Sequence, residues 1–132
     1  MSQSNLSTVE RYLAALEDGA AGDDLARFFS REVVQEEFPN RLVPGGARRD
    51  LHALLEGVDR GKRLLRSQRY RLLHAFADGE TVVAEVQWVG ALAVDLGTLS
   101  AGSELRARFA LFIEFRDGQI VRQRNYDCYD PW

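Results

Sequence analysis

The sequence is poor in the residues that staple or metallate small folds. Its one cysteine, Cys128, cannot close an internal disulfide, and its two histidines, His52 and His74, lie too far from it and from each other for a zinc spacing. A reducing, cytoplasmic setting is the expectation that follows. No stretch approaches the roughly 18 uninterrupted apolar residues of a membrane span, and the opening MSQSNLST has neither the basic nor the apolar region of a secretion signal. Neither sign of charge dominates. With 17 bases against 20 acids and a net charge of -3, the chain does not read as a nucleic-acid binder. There is no Gly-rich phosphate loop, no internal repeat and no low-complexity linker. Residues 1–132 therefore read as one domain, long enough to bury a core without disulfides or metal.

What is present is a change of period partway along the chain. Ser7 and Glu10 have capping-box spacing, and Leu6, Val9, Leu13 and Leu16 recur at helical intervals, with Tyr12 beside them, until Gly19. A short second helix carrying Leu25, Phe28 and Phe29 follows. EVVQEEFP then alternates, with Val34, Glu36 and Phe38 on one face. VPGGARRD reads as a turn into a third helix with the stripe Leu51, Leu54, Leu55 and Val58. From Ser67 onward the pattern is strand, punctuated by Asp78-Gly79 and Asp117-Gly118 between alternating apolar runs, the strongest short-range hairpin signal. Three helices followed by antiparallel strands predict an α+β domain.

Two-residue turns at both Asp-Gly pairs fix a register. It pairs Phe112 with Gln123, Ala110 with Asn125 and Arg108 with Asp127 on one face of the last hairpin, and it puts His74 with Tyr70, Leu72 and Glu85 on the side away from them. Tyr126, Tyr129 and Trp132 are expected to be packed, tying the C-terminal strand into the sheet. A sheet apolar on both faces needs two covers, and three helices supply one. A homodimer through the outer face is the simplest second cover.

The order of elements, with RYLAALEDGAAGDDLARFF, VVQEEFPNRLVPGG, VQWVG and FRDGQIVRQRNYD, resembles the NTF2-like superfamily, in particular its SnoaL-like and ketosteroid-isomerase-like branch, over essentially the whole chain. The resemblance implies a cone in which three N-terminal helices pack on a curved antiparallel sheet around an apolar pocket, with dimers through the other face. It implies a small, apolar, oxygen-bearing ligand or substrate. Laid on the isomerases without gaps, their helix-one tyrosine falls on Tyr12 and their carboxylate base on Glu36. The chain departs from them where Phe38, not the acid, precedes Pro39, and where the aspartate of their oxyanion hole gives way to Ala110, Leu111 and Phe112. An aspartate late in the last strand, the acid/base of SnoaL-like cyclases, corresponds to Asp127. The same resemblance puts Val82, Ala84, Val86 and Trp88 on the pocket wall with Phe112, Gln123 and Asn125.

The candidate catalytic residues are therefore Glu36, Asp127 and Tyr12, and the candidate binding residues Arg108, Asn125, Gln123, Trp88, Phe112 and Val86. The chemistry implied is acid–base isomerisation, cyclisation or dehydration with neither cofactor nor metal. A non-catalytic binding or dimerisation module is the alternative, in which Arg108 and Asp127 merely lock two strands and Tyr12 is a helix-flank tyrosine with a wet tip. The basic run Arg60, Lys62, Arg63, Arg66, Arg69 and Arg71 reads as a solvated face beginning at a helix C-terminus.

Overall fold

The computed structural model describes residues 2–132, with side chains from residue 4 onward. Helix α1 (Ser2–Glu17) buries Val9, Tyr12 and Leu13 on one stripe and ends where Gly19 takes a φ of 83°, with its N–H on the Leu16 carbonyl. Ser7 lies inside this helix, so the expected capping box is not its start. Helix α2 is a single turn (Asp23–Ala26) that buries Leu25, and Phe29 already belongs to strand β1 (Phe29–Glu37). Strand β2 (Ala47–Arg49) occupies what reads in sequence as a turn. Helix α3 (Leu51–Leu64) follows at once, its first turn capped by the Asp50 carboxylate accepting from the Ala53 N–H at 2.9 Å.

Strands β3 (Leu65–Asp78), β4 (Thr81–Leu92), β5 (Glu104–Arg116) and β6 (Gln119–Tyr129) form a meander, and β1 joins its far edge. The sheet order is β2-β1-β6-β5-β4-β3, antiparallel throughout except where β1 runs parallel to β6. With helices on its inner face this is the expected α+β cone. Burial alternates cleanly on β4 and β5: Val82, Ala84, Val86 and Trp88 point inward, as do Leu105, Ala107, Phe109, Leu111 and Ile113. Each buried Val, Leu, Ile or Phe side chain among them contributes roughly 1.5–3 kcal/mol. The inner face is accordingly where the core sits.

Two bulges decide which residues share that face. The Asp117-Gly118 turn forms as expected, with Arg116 opposite Gln119 and Phe115 opposite Ile120. The next pair is Glu114 with Arg122, so Val121 is an extra residue. Everything beyond it on β6 moves by one: Phe109 faces Asp127, Leu111 faces Asn125, Ile113 faces Gln123 and Arg108 faces Cys128. The expected pairs Arg108–Asp127 and Phe112–Gln123 do not form. In the other hairpin the loop is Gly79-Glu80, since Asp78 pairs with Thr81, and Leu73 is the extra residue between Leu72↔Val86 and His74↔Glu85. Tyr70 therefore turns inward, while His74 stays on the outer face opposite Glu85.

Candidate active site

Helices α1 and α3 arch over the inner face and leave a cavity of about 450 Å³. The sheet supplies the reason. Beyond the bulge, β6 presents Gln123, Asn125, Asp127 and Tyr129 to the inside, and β1 adds Gln35 and Glu37 beside them. Trp88, Phe109 and Leu111 form an apolar wall on the meander side, with Trp88 and Phe109 stacked at 5.5 Å between ring centroids. This combination of an apolar wall and a few convergent polar groups is that of a small-molecule site.

Two carboxyl groups border the cavity and their environments differ. Both oxygens of Glu37 are engaged: Oε1 accepts from Arg49 Nη1 at 2.9 Å and Oε2 from Asn40 Nδ2 at 2.8 Å. Asp127 has no such partner, and its Oδ1 is buried without a hydrogen bond. Burial is the main reason its carboxyl is pushed up from 3.8 to about 7; the Glu37 carboxylate adds to the rise and the Arg49 guanidinium opposes it. Asp127 is thus the unsatisfied acid of the pair, and Glu37 is the counter-ion of Arg49.

A directional hydrogen-bond chain runs beside it. The Tyr12 hydroxyl donates to Gln123 Oε1 at 3.2 Å, and Gln123 Nε2 donates to Asn125 Oδ1 at 2.9 Å. The Asn125 oxygen accepts from Gln123, which leaves its NH₂ group free to donate elsewhere. Burial raises the Tyr12 hydroxyl to about 12, partly offset by the bond to Gln123, so it remains a proton donor. Tyr70 and Tyr129 are raised further, chiefly by burial, and are neutral as well. Tyr70 donates to Gln68 Oε1, which also accepts from the Trp88 indole N–H at 3.0 Å, fixing the wall. Among the described residues no three His, Cys, Asp or Glu side chains gather where they could hold a metal ion, and no helix is long and apolar enough to cross a membrane.

The structure brings together Tyr12, Gln123, Asn125, Asp127 and Trp88 from the residues singled out in sequence. It separates the others. Glu36 points to the outer face, bound to Arg122 at 3.0 Å and Arg48 at 3.6 Å, because β1 turns Val33, Gln35 and Glu37 inward. Arg108 is also outside, paired with Glu85 at 3.0 Å, and Phe112 lies there against Tyr126, both displaced from the site by the Val121 bulge. Val86 is fully buried core and does not border the cavity. Gln35, Glu37, Arg49, Tyr70 and Tyr129 border it without having been picked out. The alternation of EVVQEE held the signal for the first two, once its buried face is chosen as Val33 rather than Val34.

Residues 9–123 match the SnoaL-like domain family, and the chain belongs to it. A sequence comparison with curated proteins finds no match. Among solved structures, the chain is similar to AclR of Streptomyces galilaeus, a candidate hydroxylase, with a TM-score of 0.82 at 11% identity over 99% of this chain and 83% of that one. It is similar to IdmH of Streptomyces antibioticus, a candidate polyketide cyclase, with a TM-score of 0.77 at 17% identity over 93% and 91% of the two chains. An LEH-like epoxide hydrolase of M. tuberculosis gives 0.73 at 19% identity over 98% and 84%. These likenesses show the NTF2-like fold, and the spread of their names shows how many chemistries the fold carries.

Proposed function

We propose that the chain is a cofactor-independent acid–base enzyme, an isomerase, cyclase or lyase acting on an apolar, oxygen-bearing substrate. The observation that carries this reading is the Asp127 carboxyl, buried on the cavity wall with one oxygen unengaged and a pKa of about 7. Such a group exists in both protonation states near neutrality, so it can take a proton and return it. Asp127 would remove a proton from carbon next to a carbonyl while the Asn125 NH₂, held in place through Gln123 and Tyr12, donates to the developing enolate oxygen. Delivery of that proton to another carbon completes an isomerisation; delivery to a departing hydroxyl completes a dehydration; attack of the enolate carbon on a second carbonyl gives an aldol-type ring closure.

The reading includes a homodimer through the outer sheet face, supported by the exposed Phe76 and Tyr126 beside a groove of about 320 Å³. A cytoplasmic setting is supported by the lone, exposed Cys128.

Ligand-observed NMR with a panel of small carbonyl, epoxide and polycyclic compounds tests the activity. Conversion of a bound compound should fall about 10²- to 10⁴-fold in Asp127→Asn and be untouched in Glu36→Gln. Its kcat/KM in wild type should rise with pH through about 7 if the proton-abstracting form limits the rate. Full conversion in Asp127→Asn overturns the assignment, and binding without turnover in every variant identifies a non-catalytic pocket module.

A further inference from the structure

Arg60 belongs in sequence to a basic run, yet the fold separates it from its neighbours. Lys62 bends back to the Gly19 carbonyl at 2.7 Å, and Arg63 and Arg66 lie off the cavity, whereas Arg60 borders it. One turn earlier on α3, Gly57 leaves bare backbone. The point its Cβ would occupy is 3.5 Å from Arg60 Nη2 and 3.5 Å from Arg49 Nε, so these nitrogens are no more than twice that distance apart.

The two cations are not equally compensated. Arg49 is matched by Glu37 at 2.9 Å. Arg60 has neither an ion pair nor a hydrogen bond among the described residues, and Glu56, one turn before it on the helix, approaches His52 at 3.5 Å instead. Arg60 is exposed to solvent as well, so one positive charge without a partner among the described residues stands on the α3 side of a cavity whose sheet side carries Trp88 and Phe109. Of the two arginines, Arg49 is the one whose charge acts on Asp127. A single uncompensated guanidinium matches a singly charged, planar anion in both charge and geometry.

We propose that Arg60, backed by Arg49, binds the carboxylate of the substrate, which is an amphipathic acid whose apolar body lies along Trp88, Phe109 and Leu111 toward Asp127. Arg60 is then a specificity-determining residue. The inference deepens the acid–base reading and relies on it only for which end of the cavity reacts.

The test compares 2-naphthoate with methyl 2-naphthoate, the same bicyclic body with and without the charge, by calorimetric titration at neutral pH. Wild type should bind the acid about tenfold or more tightly than the ester, as expected for a hydrogen bond to a charged group. Arg60→Gln should abolish that preference by weakening the acid alone, Arg60→Lys should retain part of it, and Arg63→Gln, which removes the same charge from the same helix end, should leave it intact. Equal binding of the two probes by wild type, no binding of either, a parallel loss of both in Arg60→Gln, or an equal loss in Arg63→Gln overturns the proposal. These are binding readouts, so they stand apart from turnover: conversion unaffected by Asp127→Asn alongside an Arg60-dependent preference would sink the acid–base reading and leave the anchor standing.

Discussion

Phe109 and Asp127 face each other across the last hairpin, so the carboxyl has an aromatic ring, not a counter-ion, as its cross-strand neighbour. Burial that raises its pKa to about 7 favours the neutral acid in the folded chain over the unfolded one, whose value is 3.8. The folded state then holds the extra proton between these values, and stability falls as pH rises from about 4 to about 7. Asp127→Asn, which cannot ionise, should equal wild type near pH 4 and exceed it by about 4 kcal/mol at pH 8. Chemical denaturation at the two pH values measures this; an equal difference at both would show that Asp127 does not ionise against burial.

Tyr12→Phe removes the donor to Gln123, which is only 2% exposed. A buried carboxamide oxygen left without a partner costs about 1–3 kcal/mol, so the urea midpoint should drop. With the chain to Asn125 loosened, kcat should fall more than KM changes. A midpoint equal to that of wild type would mean that water replaces the hydroxyl.

At Gly90 a Cβ would come within 2.6 Å of the Trp88 indole and 2.9 Å of Leu65. Gly90→Ala must push the ring off Gln68, and overpacking of this kind costs about 1–3 kcal/mol. We expect a lower melting temperature and a shifted tryptophan emission; an unchanged melting curve would show that the wall yields freely.

Phe76 is 49% exposed on the outer face, where a charge disturbs no core contact. If two copies meet there, Phe76→Glu should convert a dimer to a monomer in sedimentation velocity while the circular dichroism spectrum stays the same. A dimer that survives the substitution places the interface elsewhere.

The helical stripe of α3 and both hairpins were legible because their signals are local: an i, i+3, i+4, i+7 spacing, and turn residues that tolerate positive φ, as Asp117 and Gly118 do. Facing was legible only where alternation is unbroken. Val33-Val34, Leu72-Leu73 and Ile120-Val121 are apolar doublets, and each marks a strand where a period-2 reading admits two answers. At the last two the fold inserts a bulge, which moved Phe112 and Arg108 out of the site and Tyr70 into it. At the first the buried member is Val33, which exchanged Glu36 for Glu37. Arg49 went unseen because β2 is three residues long and too short to show any period. Gln123, Asn125 and Asp127 were found together because the family resemblance and their spacing of two along β6 agreed, and Tyr12 because the resemblance pointed to it.

The extra residue at Val121 makes the chemistry of the cavity floor a matter of strand register as much as of side-chain identity. Regular pairing with Val121 retained opposite Glu114 would instead offer the interior Arg122, Arg124, Tyr126 and Cys128 in place of Gln123, Asn125, Asp127 and Tyr129. An acidic, amide-rich floor and a basic, thiol-bearing one are thus a single bulge apart, both written in the same eight residues. In this stretch, relatives are comparable only after their bulges have been superposed, because a shared column of letters does not imply a shared side of the sheet.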